Sequence, residues 1–340
     1  MTHADRRILF AGTPQTAVPA LNALVEAGFT IAAVLTRPDA PVGRKRVLTP
    51  SPVAARAAEL ELPIIHSSRL TGDAGRATLD RIAALDLDAA AVVAYGALVP
   101  AAGLALPRQG WINLHFSLLP AYRGAAPVQH AVIHRERVTG ASVFQLEEGL
   151  DTGPVYSQLT REVGPEESAG DVLEDLSHSG ARLLASTLSS ILDGTAEPVP
   201  QSGEPSFAPK LDHRDGYIDP NQSAAAVAAR INGTTPEPGA WTLLDAEPPV
   251  RVKVVGAVPE DLPERDASEL PVAGSAVGAV VRARSTVHVR CADGWVRLER
   301  VQPAGKKLMS AADWARGLPE GSRFQSETTP IETAPIEGTR

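Results

Sequence analysis

One cysteine in 340 residues leaves no partner for itself, so Cys291 excludes an internal disulfide and a cysteine-rich zinc site and fits a reducing compartment. Aromatic residues are scarce at 4%, so any core must come mostly from small aliphatics, and a hydrophobic content of 44% supplies enough of them. Positive charge is in deficit. The net charge of −8 argues against a generally basic nucleic-acid coat, although local islands remain possible. Charged residues make up only 21%, which excludes wholesale disorder. No export signal is expected, because the apolar run Ile8 to Ala11 after a polar start is far too short for a signal core. The uncharged stretch from Ala89 to Pro107 is interrupted by Gly96, Pro100, Gly103 and Pro107, so it reads as a buried strand, a turn and a short helix, not as a membrane span. A cytoplasmic protein, with no membrane partner and monomeric, is the expectation.

What is present is an alternation of strand and helix patterns through the first 200 residues. Apolar runs at 8–11, 31–36, 63–66, 89–94 and 111–115 alternate with helical periods at 17–27, 52–60 and 76–84. A helix from Pro127 to about Arg135, a strand pair at 141–146 and 155–163, and a long helix at 169–192 complete the region. Such alternation predicts an α/β fold with a doubly wound, mostly parallel sheet. A Gly, Pro and Ser-rich stretch at 201–209 reads as a linker. Beyond it, one helix at 224–231 and five short strand-like runs predict a small β-barrel or sandwich. The expected domains are therefore 1–206 and 207–318, with a disordered tail at 319–340.

Chemistry is concentrated in a few loops. The first strand-to-helix turn, Gly12-Thr13-Pro14, has one glycine where a dinucleotide site needs three, so a nicotinamide oxidoreductase is disfavoured. His130 and His134 have helical metal-pair spacing, but no base and no third ligand accompany them, so a structural role is expected. Asn113 and His115 lie two apart at the carboxyl end of a predicted strand and point to one face, where open α/β sheets bind ligands. Asp151 sits in a turn, Glu148-Gly149-Leu150-Asp151-Thr152-Gly153. From these residues alone a capping role for Asn113 and Asp151, with His115 in the core, is as plausible as a catalytic one.

Asn113-Leu114-His115, Ser117-Leu118-Leu119-Pro120, Arg123-Gly124-Ala125-Ala126-Pro127 and Leu150-Asp151-Thr152-Gly153 together resemble the active site of the folate-dependent formyltransferases. Gly12-Thr13-Pro14, Ser51-Pro52-Val53, Val93-Ala94-Tyr95-Gly96 and the late Gln302-Pro303-Ala304-Gly305-Lys306-Lys307 extend the resemblance over residues 8 to 310. It is nearest to the branch that formylates methionyl-tRNA. The resemblance implies a modified-Rossmann formyltransferase domain followed by an OB-like barrel that helps hold tRNA. It implies transfer of the formyl group of 10-formyltetrahydrofolate to the α-amine of methionyl-initiator tRNA, releasing tetrahydrofolate, with no metal. It places the catalytic trio on Asn113, His115 and Asp151, and the folate loop on Ser117, Leu118, Leu119 and Pro120. In that chemistry Asn113 donates to an oxyanion. A nearby Asp151 carboxylate is expected to raise the proton affinity of His115 and keep it charged, and either member of the pair could move the proton. The chain departs from the family at Asn232-Gly233-Thr234-Thr235-Pro236-Glu237-Pro238-Gly239-Ala240-Trp241, where an aromatic, proline-rich segment is usual.

Two basic islands interrupt the acidic chain. Residues 37–56 hold five basic residues and one acid, and 282–307 hold seven basic residues and two acids. Arg44, Lys45, Arg46, Lys306 and Lys307 are the candidates for tRNA contact. Rival readings are a formyltransferase for an amino-sugar nucleotide, a 10-formyltetrahydrofolate hydrolase, and a non-catalytic tRNA-binding module. A purine-pathway enzyme would not need a second domain.

Overall fold

The computed structural model describes residues 3–43, 45–260, 275–283 and 285–326. These residues form two units. The first comprises residues up to 128 with 137–163 and 171–210; the second comprises 129–136, 164–170 and 211 onward. The first unit runs on to residue 210, and in it Phe207 and Ala208 pair with Arg123 and Gly124.

The first unit begins β1 (Arg7–Gly12), α1 (Val18–Glu26), β2 (Thr30–Thr36), a hairpin of β3 (Ala40–Val42) and β4 (Val47–Thr49), α2 (Pro52–Glu59) and β5 (Ile64–His66). It continues with α3 (Gly72–Ala83), β6 (Ala89–Val93), α4 (Ala101–Leu104), β7 (Trp111–His115) and β8 (Arg123–Gly124), while the next helix, α5 (Pro127–Ile133), belongs from residue 129 to the second unit. An antiparallel pair, β9 (Val138–Gln145) and β10 (Val155–Glu162), precedes the long α6 (Ala169–Leu192) and β11 (Phe207–Ala208). Seven strands make one sheet in the order β10-β9-β7-β6-β1-β2-β5. Its central pairs are parallel, and only the β7–β9–β10 edge is antiparallel. This is the doubly wound, mostly parallel sheet that the alternating pattern predicts.

Continuous apolar strands become continuous buried strands: every residue of β6 is buried, as is all of β1 after Arg7, the pattern of a sheet covered on both faces. Leu9, Ala11, Ala33, Leu35, Ala90, Val92 and Trp111 form one core with Ile82, Leu87 and Val99. The strand order reverses between β1 and β6, and a ligand crevice opens at the carboxyl ends of strands beside such a switch. Gly12 ends β1 there. A Cβ on it would lie 2.9 Å from the Phe10 ring and 3.0 Å from the Val93 carbonyl oxygen, so its single glycine is a packing requirement. The next βα connection ends at Ser51, whose hydroxyl caps α2 by accepting from the Ala54 N–H at 3.0 Å.

In the second unit α7 (Ala224–Gly233) packs its Val227, Ala228 and Ile231 with Val252, Val254 and Ala257 of an antiparallel sheet. The sheet runs β12 (Ala240–Leu244), β13 (Val250–Glu260), β16 (Trp295–Pro303), β15 (Thr286–Arg290), β14 (Val280–Ala283), with β17 (Met309–Ser310) also on β16 and a short α8 (Ala311–Ala315) following. The segment Ser322 to Gln325 joins the two edges. Asp245 and Gln325 donate backbone bonds to Arg323 and Leu243, while Val280 N–H donates to Ser322 and Phe324 N–H to Gly278. Sheet closure is thus supplied by residues expected to be tail. Phe324, 1% exposed and stacked on Trp314 at 6.0 Å, overturns that expectation for 319–326; the rest of the expected tail lies outside the described residues. A buried aromatic is enough to pin an otherwise polar, aperiodic segment.

The departing segment at 232–241 is internally satisfied. Asn232, 3% exposed, uses its amide to bond both the N–H and the carbonyl of Ala257 at 3.0 and 2.9 Å, and the Thr235 hydroxyl donates to the Ile231 carbonyl.

Candidate active site

Strand β7 delivers Asn113 and His115 to the carboxyl end of the sheet on one face, with the intervening Leu114 buried on the other. Three non-glycine residues with left-handed backbone gather in the loops at this end: Ala94 after β6 (φ 47°), Tyr122 after β7 (φ 59°) and Asp151 after β9 (φ 50°). Side chains adopt that region at a cost, and such outliers concentrate where a loop is held for function.

His115 is 6% exposed. Its Nε2 lies 2.9 Å from the Tyr122 carbonyl oxygen, which can only accept, so Nε2 carries the hydrogen and Nδ1 is the atom left for chemistry. Nδ1 faces the Asp151 carboxylate, with Oδ2 at 3.7 Å. Phe144 stands edge-on to the ring at 6.3 Å. Burial pushes the proton affinity of His115 down, and this outweighs the opposing pull of Asp151 and of the Tyr122 carbonyl. The expectation that Asp151 would keep the ring charged is therefore corrected. A sequence can supply the neighbouring carboxylate but not the depth of burial, and here burial wins. The resting imidazole is neutral at neutral pH.

Asp151 is fixed at its side chain by the Gly124 N–H, which donates to Oδ2 at 2.7 Å. Gly124 is a glycine for two reasons. Its φ is 124°, and a Cβ would sit 2.7 Å from the Ala208 carbonyl oxygen on β11. Asn113 is half-buried, and among the described residues no protein group takes its side-chain amide, leaving both N–H donors for a ligand.

The loop after β7 is braced from beneath. Ser117 is fully buried and donates to the Ala121 carbonyl at 2.6 Å. The Ser142 hydroxyl donates to the Ser117 carbonyl and accepts from the Leu119 N–H, and Gln158 bonds both Ser142 and the Leu119 carbonyl. Leu119 is 6% exposed, so the side chains of Ser117 and Leu119 shape the loop from inside; Leu118 and Pro120 are half-buried and keep surface for a ligand. Ser142 and Gln158 carried no sequence signal, since a serine and a glutamine on alternating strands look like solvent-facing positions.

Of the tRNA candidates, Arg44 lies outside the described residues. Lys45 and Arg46 are exposed at the tip of the β3–β4 hairpin, beside exposed Val42, Val47 and Leu48. The sequence showed this hairpin only as a long polar loop. Lys306 and Lys307 are exposed in the turn between β16 and β17 of the second unit. Within the same island Arg297 is committed to Glu260, with Nε–Oε1 at 2.6 Å, and so is withdrawn from the cations free to meet phosphate. His130 and His134 approach each other with ring centroids 5.8 Å apart, and among the described residues no three His, Cys, Asp or Glu side chains gather as a metal site. No described helix is long and apolar enough to cross a membrane.

Family models match both halves: formyl transferase over residues 6–188 and the formyl transferase C-terminal domain over residues 210–319. The chain is 56% identical over 311 residues to a methionyl-tRNA formyltransferase of Arthrobacter sp. (strain FB24), covering 92% of this chain and 96% of that one. A protein of the same name from Salinispora arenicola (strain CNS-205) is 50% identical over 315 residues, 92% of this chain and 97% of its own. Among solved structures, an N-formyltransferase from Helicobacter canadensis in complex with folinic acid and dTDP-3-aminofucose aligns with a TM-score of 0.63 at 16% identity, over 86% of this chain and 98% of that one. A sugar 3N-formyl transferase solved with dTDP and 5-N-formyl-THF gives 0.62 at 14% identity, over 89% and 99% of the two chains. Those two likenesses concern the fold.

Proposed function

The chain belongs to the formyl transferase family, and from that premise we propose that it transfers the formyl group of 10-formyltetrahydrofolate to the α-amine of methionyl-initiator tRNA. The observation that carries this reading is the 56% identity, over 92% of the chain, to a protein named methionyl-tRNA formyltransferase. The site geometry supplies the chemistry.

Addition of the amine to the formyl carbon places negative charge on the carbonyl oxygen. Asn113 meets it with a neutral donor that works at any ordinary pH. The amine must lose a proton as the new C–N bond forms, and the neutral Nδ1 of His115 is the acceptor. Asp151, 3.7 Å away, stabilises the imidazolium so produced. The same proton then leaves with N10 of the folate as its bond to carbon breaks, which returns the imidazole to its resting state. His115 is thus base and then acid, and its Nε2–H stays on the Tyr122 carbonyl throughout. No covalent enzyme intermediate is involved. Charge is met by hydrogen-bond donors on this reading, so turnover survives exhaustive chelation.

For the acceptor, the β3–β4 hairpin offers Lys45 and Arg46 together with exposed apolar side chains, a combination suited to phosphates and to the stacked end of an RNA stem. Arg44, Lys306 and Lys307 are assigned to the same substrate on sequence grounds. The reading is tested by supplying purified protein with 10-formyltetrahydrofolate and either methionyl-initiator tRNA, methionyl-elongator tRNA or an amino-sugar nucleotide. Formylation of the initiator, in preference to the other two, is expected; preferred formylation of the sugar amine would replace this reading with another acceptor.

A further inference from the structure

The run at 201–209 has the composition of a linker, yet its first residue reaches into the site. Gln201 is half-buried. Its Nε2 donates to two backbone carbonyls of the acidic turn, those of Asp151 and Gly153, both at 2.8 Å. Its Oε1 accepts from Arg123 Nη2 at 2.6 Å and from Nε at 3.2 Å. Arg123 directly precedes Gly124, whose N–H holds the Asp151 carboxylate. These contacts close a ring: Asp151 carboxylate, Gly124 amide, Arg123 guanidinium, Gln201 side chain, Asp151 carbonyl. The ring grips Asp151 at both ends of the residue, and Asp151 is the residue whose backbone is held left-handed at φ 50°.

We propose that Gln201 is a positioning residue for Asp151, fixing through the Asp151 and Gly153 carbonyls the turn that aims the carboxylate at His115 Nδ1. Both donors of one amide are spent on carbonyls of the same turn, and the acceptor is spent on the arginine of the neighbouring strand. A residue with only acceptors or only donors could make half the ring. Arg123 keeps its charge near the turn without a carboxylate partner of its own among the described residues, so it orders Gln201 without competing for Asp151.

The proposal rests on the reading of His115 and Asp151 as a working pair, and its test is separable from that reading. Gln201→Ala removes the whole clamp. Gln201→Glu keeps an oxygen for Arg123 but cannot donate to the two carbonyls. Two quantities are measured in the full chain: the titration midpoint of the His115 imidazole by NMR without substrates, and kcat and KM for formyl transfer. Asp151 is the one charged group acting on His115 among the described residues, with Tyr122 contributing a carbonyl and Phe144 a ring edge. A carboxylate that drifts away therefore leaves the imidazole with a lower midpoint. Gln201→Ala should show this fall, and both variants a loss in kcat of order 10- to 100-fold, the scale of a catalytic group displaced by about an ångström, with the folate KM little changed. In an Asp151→Asn background Gln201→Ala should move the midpoint no further. Wild-type kcat in Gln201→Glu, or an unmoved His115 midpoint in Gln201→Ala, would overturn the proposal. The NMR arm needs no acceptor, so it stands or fails whichever amine the enzyme formylates.

Discussion

A histidine whose Nε2–H is bound to a backbone carbonyl has one nitrogen left, and in this protein that nitrogen faces a carboxylate from a buried position. Burial and carboxylate push in opposite directions, so their balance can be read by removing one of them. With both present the imidazole should titrate below the ordinary ~6.5. Asp151→Asn takes away the opposing pull and should lower the midpoint further, leaving His115 neutral at still more acid pH; a rise would mean that the carboxylate does not favour the protonated ring. Catalytically, Asn113→Ala, His115→Ala and Asp151→Ala should each lower kcat by at least ~10², and pairs should lose far less than the product of the singles, because the three serve one transition state. Near-wild-type turnover by a folded single variant would remove that residue from the trio. The placement of Asn113 and His115 on one strand face was legible in the sequence, whereas the approach of Asp151 to His115 was expected only from the resemblance its motif carries. The protonation state was not legible, since nothing in Asn-Leu-His reports how much water reaches the ring. Gln201 was equally hidden, for a side chain that bonds to carbonyls leaves no pattern in a Gly- and Pro-rich run.

At the scale of elements, the small-aliphatic runs at 8–11, 31–36 and 89–94 translated directly into buried strands, because a strand covered on both faces needs an apolar residue at nearly every position. Short exposed elements did not announce themselves. The β3–β4 hairpin is made from three-residue strands with every residue but Thr49 exposed, so its pattern is that of a loop. Its role is checked by Lys45→Ala/Arg46→Ala. Affinity for initiator tRNA should weaken, and the dependence on salt should flatten by about 0.7 to 0.9 in log–log slope for each phosphate no longer neutralised, while the folate KM holds. An unchanged slope would make the tip a solvated charge run. The closing segment at 322–325 was hidden for a different reason: it is pinned by one aromatic, Phe324, against Trp314. Phe324→Ala removes a buried ring and should destabilise the second unit by about 3–5 kcal/mol, seen as an early transition in thermal or denaturant unfolding. A variant as stable as wild type would show that the segment decorates the sheet without closing it.

Considered as a whole, the proposed reaction sets a local problem of proton transfer inside an acidic chain that, with the proposed acceptor, must also attract RNA. The net charge of −8 confines cations to islands, and the ion pair of Arg297 with Glu260 shows that an island in the sequence is not always free charge in the structure. Family membership fixes formyl transfer, whereas the acceptor distinguishes this reading from other proteins of the same fold. The most direct measurement is single-turnover transfer from 10-formyltetrahydrofolate to methionyl-initiator tRNA, with methionyl-elongator tRNA and an amino-sugar nucleotide in parallel, for wild type and His115→Ala. Formylmethionyl-initiator tRNA is the expected product, formed much faster than either parallel product and at least ~10²-fold faster by wild type than by His115→Ala. Comparable rates on all three acceptors would refute the assignment of the acceptor, and a His115→Ala enzyme as fast as wild type would refute the proton-transfer chemistry.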